Sequence, residues 1–142
     1  MNIDRINIDK SRQSEIRKIK DNGYLAFDNQ KDVFMYALAT GMDSYNGGVL
    51  EKNKDALFND RDLNESDKAI IYALIEPELD KLEDITDREL VLKMAEGMAD
   101  KGFTIILDEM EEMGPEVYRL KMLNRLNELY SEAEKKEYFK IR

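Results

Sequence analysis

From Val33 to Ala39 the chain reads Val-Phe-Met-Tyr-Ala-Leu-Ala, an almost uninterrupted apolar run between Lys31-Asp32 and Thr40-Gly41. A helix that is apolar on every side has no face to give to water, so it belongs in the middle of a core with other elements wrapped around it. Asn29, three places before Asp32, reads as its N-cap and Gly41 as its C-cap. The surround must come from the same 142 residues, a length that fits one domain able to bury most of its unfolded surface. Charged residues make up 37% of the chain, against roughly a quarter in ordinary domains, so the surrounding helices should carry heavily charged outer faces.

The chain contains no Cys and no His. That removes disulfides, thiolate nucleophiles and thiolate metal sites, together with the commonest general base and the commonest zinc ligand. Net charge is −9 and unevenly spread: residues 1–31 carry +2, 32–59 carry −2, 60–116 carry −12 and 117–142 carry +3. An acidic middle of that size repels a phosphate backbone, leaving only the two basic ends for any contact with nucleic acid. No apolar run approaches a membrane span, and Met1-Asn2-Ile3-Asp4-Arg5 lacks the apolar core of a secretory signal, so the expected location is the cytoplasm.

Residues 1–22 read as a basic arm and a short helix, ending at the turn signal Asn22-Gly23. Residues 23–114 read as a helical core domain and 115–142 as a C-terminal amphipathic helix, the longest in the chain. Within the core, 43–49 is a loop by composition, with Gly47-Gly48 as a turn. Leu50 to Phe58 returns one or two helical turns with Leu57 and Phe58 inward. Asn64 opens a helix carrying Ala69, Ile70, Ala73 and Leu74 that Pro77 stops. Thr86 and Glu89 match a capping box for a further helix, with Leu90, Met94, Ala95 and Met98 inward and Gly102 at its end. Phe103-Thr104-Ile105-Ile106-Leu107 suits either a buried strand or a helix. Favouring the helix, and placing Pro115 at the first position of the last one, gives an all-α, compact bundle of about six helices with a long C-terminal helix.

Few residues could carry chemistry. Asp108 and Glu112 sit one turn apart within the acidic run Asp108, Glu109, Glu111, Glu112 and could chelate a hard cation, but such runs read first as solvated helix faces. Asp60-x-Asp62-x-Asn64 imitates the start of a calcium loop, yet Glu65 replaces the required Gly and Ile71 the bidentate Glu, so these are loop and cap residues. No glycine-rich phosphate cradle is present, and Ser44 and Ser66 have no Ser-x-x-Lys partner. The expectation is a protein without catalytic residues, cofactor or metal.

Binding is better served. Lys10, Arg12, Arg17, Lys18 and Lys20 could touch phosphates, with Tyr24 and Phe27 behind them to stack on bases. The competing reading is an amphipathic helix with Ile16 and Ile19 inward and Tyr24 and Phe27 in the core. On the last helix Val117, Leu120, Leu123, Leu126, Tyr130 and Ala133 form an apolar stripe, beside Arg119, Lys121, Arg125, Lys135 and Lys136. Such a stripe either closes the core or docks a partner helix. The eight Met residues include Met35, Met94 and Met98 at core-like spacing.

Lys31 to Gly41, Leu50 to Phe58, Leu63 to Leu74, Glu78 to Leu82 and Met94 to Phe103 follow one another in an order that resembles the Dnd system-associated proteins of the type-4 family. These are small prokaryotic proteins found with DNA phosphorothioation and phage-defence gene clusters. The resemblance covers roughly residues 24–110 and brings no catalytic residue onto this chain; Pro77 and the helix after Pro115 depart from it. It implies an accessory protein working through contacts with a protein subunit of a defence or DNA-modification complex, or through a homodimer. Two alternatives stand beside it: nucleic-acid binding through Arg12, Arg17, Lys18 and Lys20, and an acidic DNA mimic that inhibits a nuclease.

Overall fold

The computed structural model describes residues 5–21, 30–50 and 54–134. Among them are two strands, β1 (Arg5–Asp9) and β2 (Lys54–Asn59), and five α-helices: α1 (Arg12–Asp21), α2 (Gln30–Gly41), α3 (Glu65–Ile75), α4 (Arg88–Glu112) and α5 (Pro115–Glu134). Four short 3-10 turns connect them. The protein is mostly helical, with a two-stranded sheet where an all-α bundle of about six helices is expected.

The apolar run becomes α2, and Val33 through Ala39 are all buried. It packs most extensively on α4, and the approach of the two helices depends on two glycines. A Cβ at Gly102 would run into the carbonyl oxygen of Ala37, and one at Gly41 into the carbonyl oxygen of Met98. Both glycines were expected to end helices. Gly41 does stand at the end of α2, though with a right-handed helical backbone leading into the next 3-10 turn rather than a left-handed cap, whereas Gly102 lies mid-helix. Close backbone contact, not termination, requires them. The side chains of Met35, Met94 and Met98 are buried in the core.

Helix α4 is one continuous rod of 25 residues, longer than the 20 described for α5. Phe103 to Leu107 is therefore helix, as favoured, and the break expected at Gly102 is absent. Its N-cap is Asp87, whose carboxylate accepts from the Leu90 N–H at 3.2 Å, one residue later than the expected cap Thr86. Helix α3 begins as expected at Asn64, where Asn64 and Asp67 form a reciprocal capping box, and it stops just before Pro77.

The expected N-terminal arm and the helix over Leu50 to Phe58 are corrected together, because these segments pair as antiparallel strands. Ile6 pairs with Phe58 and Asn7 with Ala56, so Leu57 is the extra residue of a β-bulge. The bulge lets two successive side chains turn toward the core: Leu57 is buried and Phe58 meets Phe34 edge to face at 5.5 Å. Ile6 and Ile8 alternate inward from β1, and Ile16 follows from α1. One core runs from Ile6 to Leu129, so the three segments 1–22, 23–114 and 115–142 share it. Among the described residues no helix is long and apolar enough to cross a membrane. The Asn22-Gly23 turn, the Asn29 cap, Tyr24 and Phe27 lie outside the described residues.

Candidate functional site

Helix α5 is anchored by a polar cluster that fixes which of its sides meets solvent. The Arg125 guanidinium donates to Tyr36 Oη (2.8 Å), Thr40 Oγ1 (3.1 Å) and both Glu109 oxygens (3.2 Å each). Tyr36 donates to Tyr118 at 2.7 Å, and Tyr118 donates to Glu109 at 3.1 Å, closing a ring across α2, α4 and α5. Lys121 adds a further bond to Glu109 at 3.1 Å. Burial pushes the Glu109 carboxyl up, but the hydrogen bonds from Arg125 and Lys121 outweigh it and hold the group below the usual carboxylate range. Burial pushes the Tyr36 and Tyr118 phenols up, so both stay protonated as donors.

A second anchor sits further along α5. Asp67, only 1% exposed, accepts from the Asn64 N–H (3.0 Å) and from Tyr130 Oη (2.9 Å) and pairs with Lys31 Nζ at 2.9 Å. The side chains turned inward are therefore Tyr118, Met122, Leu129 and, partly buried, Leu126 and Tyr130. Of the stripe expected as one surface, Leu126 and Tyr130 belong to the core side. Val117, Leu120 and Leu123 are 63%, 62% and 45% exposed. Each stands three residues from the next, so the trio forms a row of neighbours on the outward side of the helix. Helix α5 is thus apolar on two sides, and its own domain covers one of them.

Between α2, α3 and α5 lies a groove of about 370 Å³, floored by Ala39, Ile70, Ala73, Leu74 and Leu129 and edged by Met42 and Pro77. Asp43, Glu78 and Glu128 stand at its mouth, and Arg125 reaches one wall.

The other candidate residues fall elsewhere. Arg12 is engaged on α4, with Asp100 Oδ1 at 3.2 Å and Thr104 Oγ1 at 2.8 Å, and also with Glu15 at 3.1 Å. It is spent on packing α1 against α4, while Arg17 is exposed. The side chains of Lys18, Ile19 and Lys20 lie outside the described residues, as does the segment with Lys135 and Lys136. Asp60 pairs with Arg88, and Asn64 is a helix cap. In the acidic run Glu109 is bound by Arg125 and Lys121, while Asp108, Glu111 and Glu112 are exposed. Among the described residues no three acidic side chains converge as a metal site.

Sequence reasoning missed Glu96. It lies on the apolar stripe of α4, 3% exposed, and accepts the Asn7 backbone N–H at 2.7 Å where the strand ladder slips. Burial raises its carboxyl. A charged residue between Ala95 and Gly97 was the available signal, since that helical side is otherwise filled by small and apolar residues. No family model matches the chain, and no curated protein or solved structure is significantly similar to it.

Proposed function

We propose that this protein is a non-enzymatic contact module, an accessory subunit of a cytoplasmic prokaryotic DNA-modification or phage-defence complex, and that it meets its partner through the outer row of α5. The exposed trio Val117, Leu120 and Leu123 carries the reading. Burying a large aliphatic side chain contributes roughly 1.5 to 3 kcal/mol, so three neighbours left in water are a substantial drive toward association. The Dnd-like order of segments described above suggests the setting. Direct nucleic-acid binding is less well served, because Arg12 already has two carboxylates and a hydroxyl.

The test is recovery of the tagged protein from cells carrying its neighbouring genes, with and without nuclease, followed by mass spectrometry. A defence-system subunit that survives nuclease and is lost with Leu120→Glu supports the proposal. Recovery only through DNA, or of the protein alone, overturns it.

A further inference from the structure

The groove between α2, α3 and α5 is built differently from the outer row of α5. Its floor is apolar, and three carboxylates from three separate segments converge on its mouth: Asp43 after α2, Glu78 after α3 and Glu128 on α5. None of the three has an ion-pair partner among the described residues. The one cation among the described residues lining the wall, Arg125, directs its guanidinium hydrogen bonds to Tyr36, Thr40 and Glu109, none of which lines the groove. Glu78 also lies close enough to Tyr45 to add to the burial that pushes this phenol up to about 12, so the Glu78 charge is felt beside the groove. In sequence Glu78 is followed by Asp80, Glu83 and Asp84, with Lys81 the one base among them, so the segment leaving the groove is itself net negative.

An apolar floor under an acidic mouth selects a particular kind of occupant. A plain apolar side chain would fill the floor but leave the carboxylates without partners. An acidic or phosphate-bearing ligand would be repelled. We infer that this groove receives a basic amphipathic segment of a partner protein, one or two apolar side chains seated between Ala73 and Leu129 and flanking Lys or Arg residues paired with Asp43, Glu78 and Glu128. The volume lies near the low end of the roughly 300–1,000 Å³ usual for binding pockets, enough for anchor side chains rather than a whole helix. Opposite charge at the rim speeds encounter and fixes register, while the buried anchor supplies the affinity. The inference extends the contact-module reading to partner chemistry but uses a different surface, so the two can fail separately.

The experiment titrates the full-length protein with a short labelled Leu/Lys amphipathic peptide and with its Leu/Glu counterpart, followed by fluorescence polarisation and by methyl NMR. The Leu/Lys peptide is expected to bind, more weakly as salt rises, and to shift Met42, Leu74 and Leu129. Filling the groove with Ala73→Trp, and reversing its mouth with Glu78→Lys and Glu128→Lys, should each weaken binding by about tenfold or more. The charge reversals change side chains at the groove mouth only, so they keep the test valid if Ala73→Trp fails to fold. Three results would overturn the assignment: no binding, equal binding of the Leu/Glu peptide, or binding untouched by Ala73→Trp in a folded protein, which would reduce it to surface charge. Shifts confined to Val117, Leu120 and Leu123 would move the peptide to the outer row, overturning the groove while leaving the contact-module reading in place. Self-association abolished by Ala73→Trp would put a second copy there instead.

Discussion

The phenol of Tyr36 donates to the phenol of Tyr118 at 2.7 Å, joining the central helix to the last one through two side chains that are both fully buried. Around this bond Arg125 donates to Tyr36, Tyr118 donates to Glu109, and the rings of Tyr36 and Tyr118 meet edge to face at 6.2 Å. This is what holds α5 in one rotation about its axis. With that rotation set, Val117, Leu120 and Leu123 have no choice but to face outward.

Removing the second phenol tests the ring. Tyr118→Phe leaves the Tyr36 hydroxyl without its acceptor and Glu109 without one donor, and should destabilise the protein by about 1 to 3 kcal/mol in urea unfolding. Tyr36→Phe and Tyr118→Phe together should lose less than the sum of the two single changes, because they remove a shared bond.

The Glu109 carboxyl gives the ring a pH signature. Its folded value is held below the ordinary glutamate value of 4.5, so the stability it contributes is present above that value and is lost as pH falls through the folded one. Thermal melts across this acid range should show a decline that Glu109→Gln lacks, while Glu109→Gln is the less stable protein at neutral pH.

Glu96 should behave in the opposite sense. Its value is raised by burial, so the stability contributed by this group is greatest below 4.5 and falls as pH rises through the folded value. Glu96→Gln keeps an oxygen for the Asn7 N–H and removes the buried charge. The variant should melt higher than the wild type at neutral pH and lose that advantage in acid. A lower melting temperature at neutral pH would show that the charge itself holds the strand.

Gly102→Ala places a methyl group against the carbonyl oxygen of Ala37, a backbone atom that moves only with the helix. Overpacking of this kind destabilises by about 1 to 3 kcal/mol, which chemical denaturation would resolve. An unchanged midpoint would mean that α2 and α4 stand further apart than the structure places them.

What the sequence made legible follows from how local each signal is. Helix α3 could be read because its capping box spans Asn64 to Asp67 and its stop, Pro77, lies in the same stretch. The burial of α2 could be read because a run with no polar side leaves a single answer. Strand β2 could not, because the bulge at Leu57 sets two apolar residues side by side and hides the alternation that marks a strand. Gly102 misled for a similar reason: its need is a neighbour far away in sequence, Ala37. The role of Glu96 depends on a partner 89 residues away.

The candidate surface was half legible. Val117, Leu120 and Leu123 read in sequence as one stripe with Leu126, Tyr130 and Ala133, but α5 carries apolar residues on two sides. Periodicity alone does not say which side the core takes. The spacing of Tyr118, Met122 and Leu129 was present in the sequence as the competing stripe, and the pairing of Arg125 with Glu109 decided between them. The groove was invisible, since Asp43, Glu78 and Glu128 come together only in the fold.

The central claim is that the outer row of α5 touches another protein, and site-specific photocrosslinking in the cells that encode this chain tests it most directly. A photoreactive residue in place of Leu120 sits on an exposed position and should leave stability within about 0.5 kcal/mol of wild type. The account predicts a discrete protein adduct from position 120 that withstands nuclease treatment and is absent when the probe replaces Lys101, an exposed residue on α4. No adduct at position 120, or the same adduct from both positions, would contradict it.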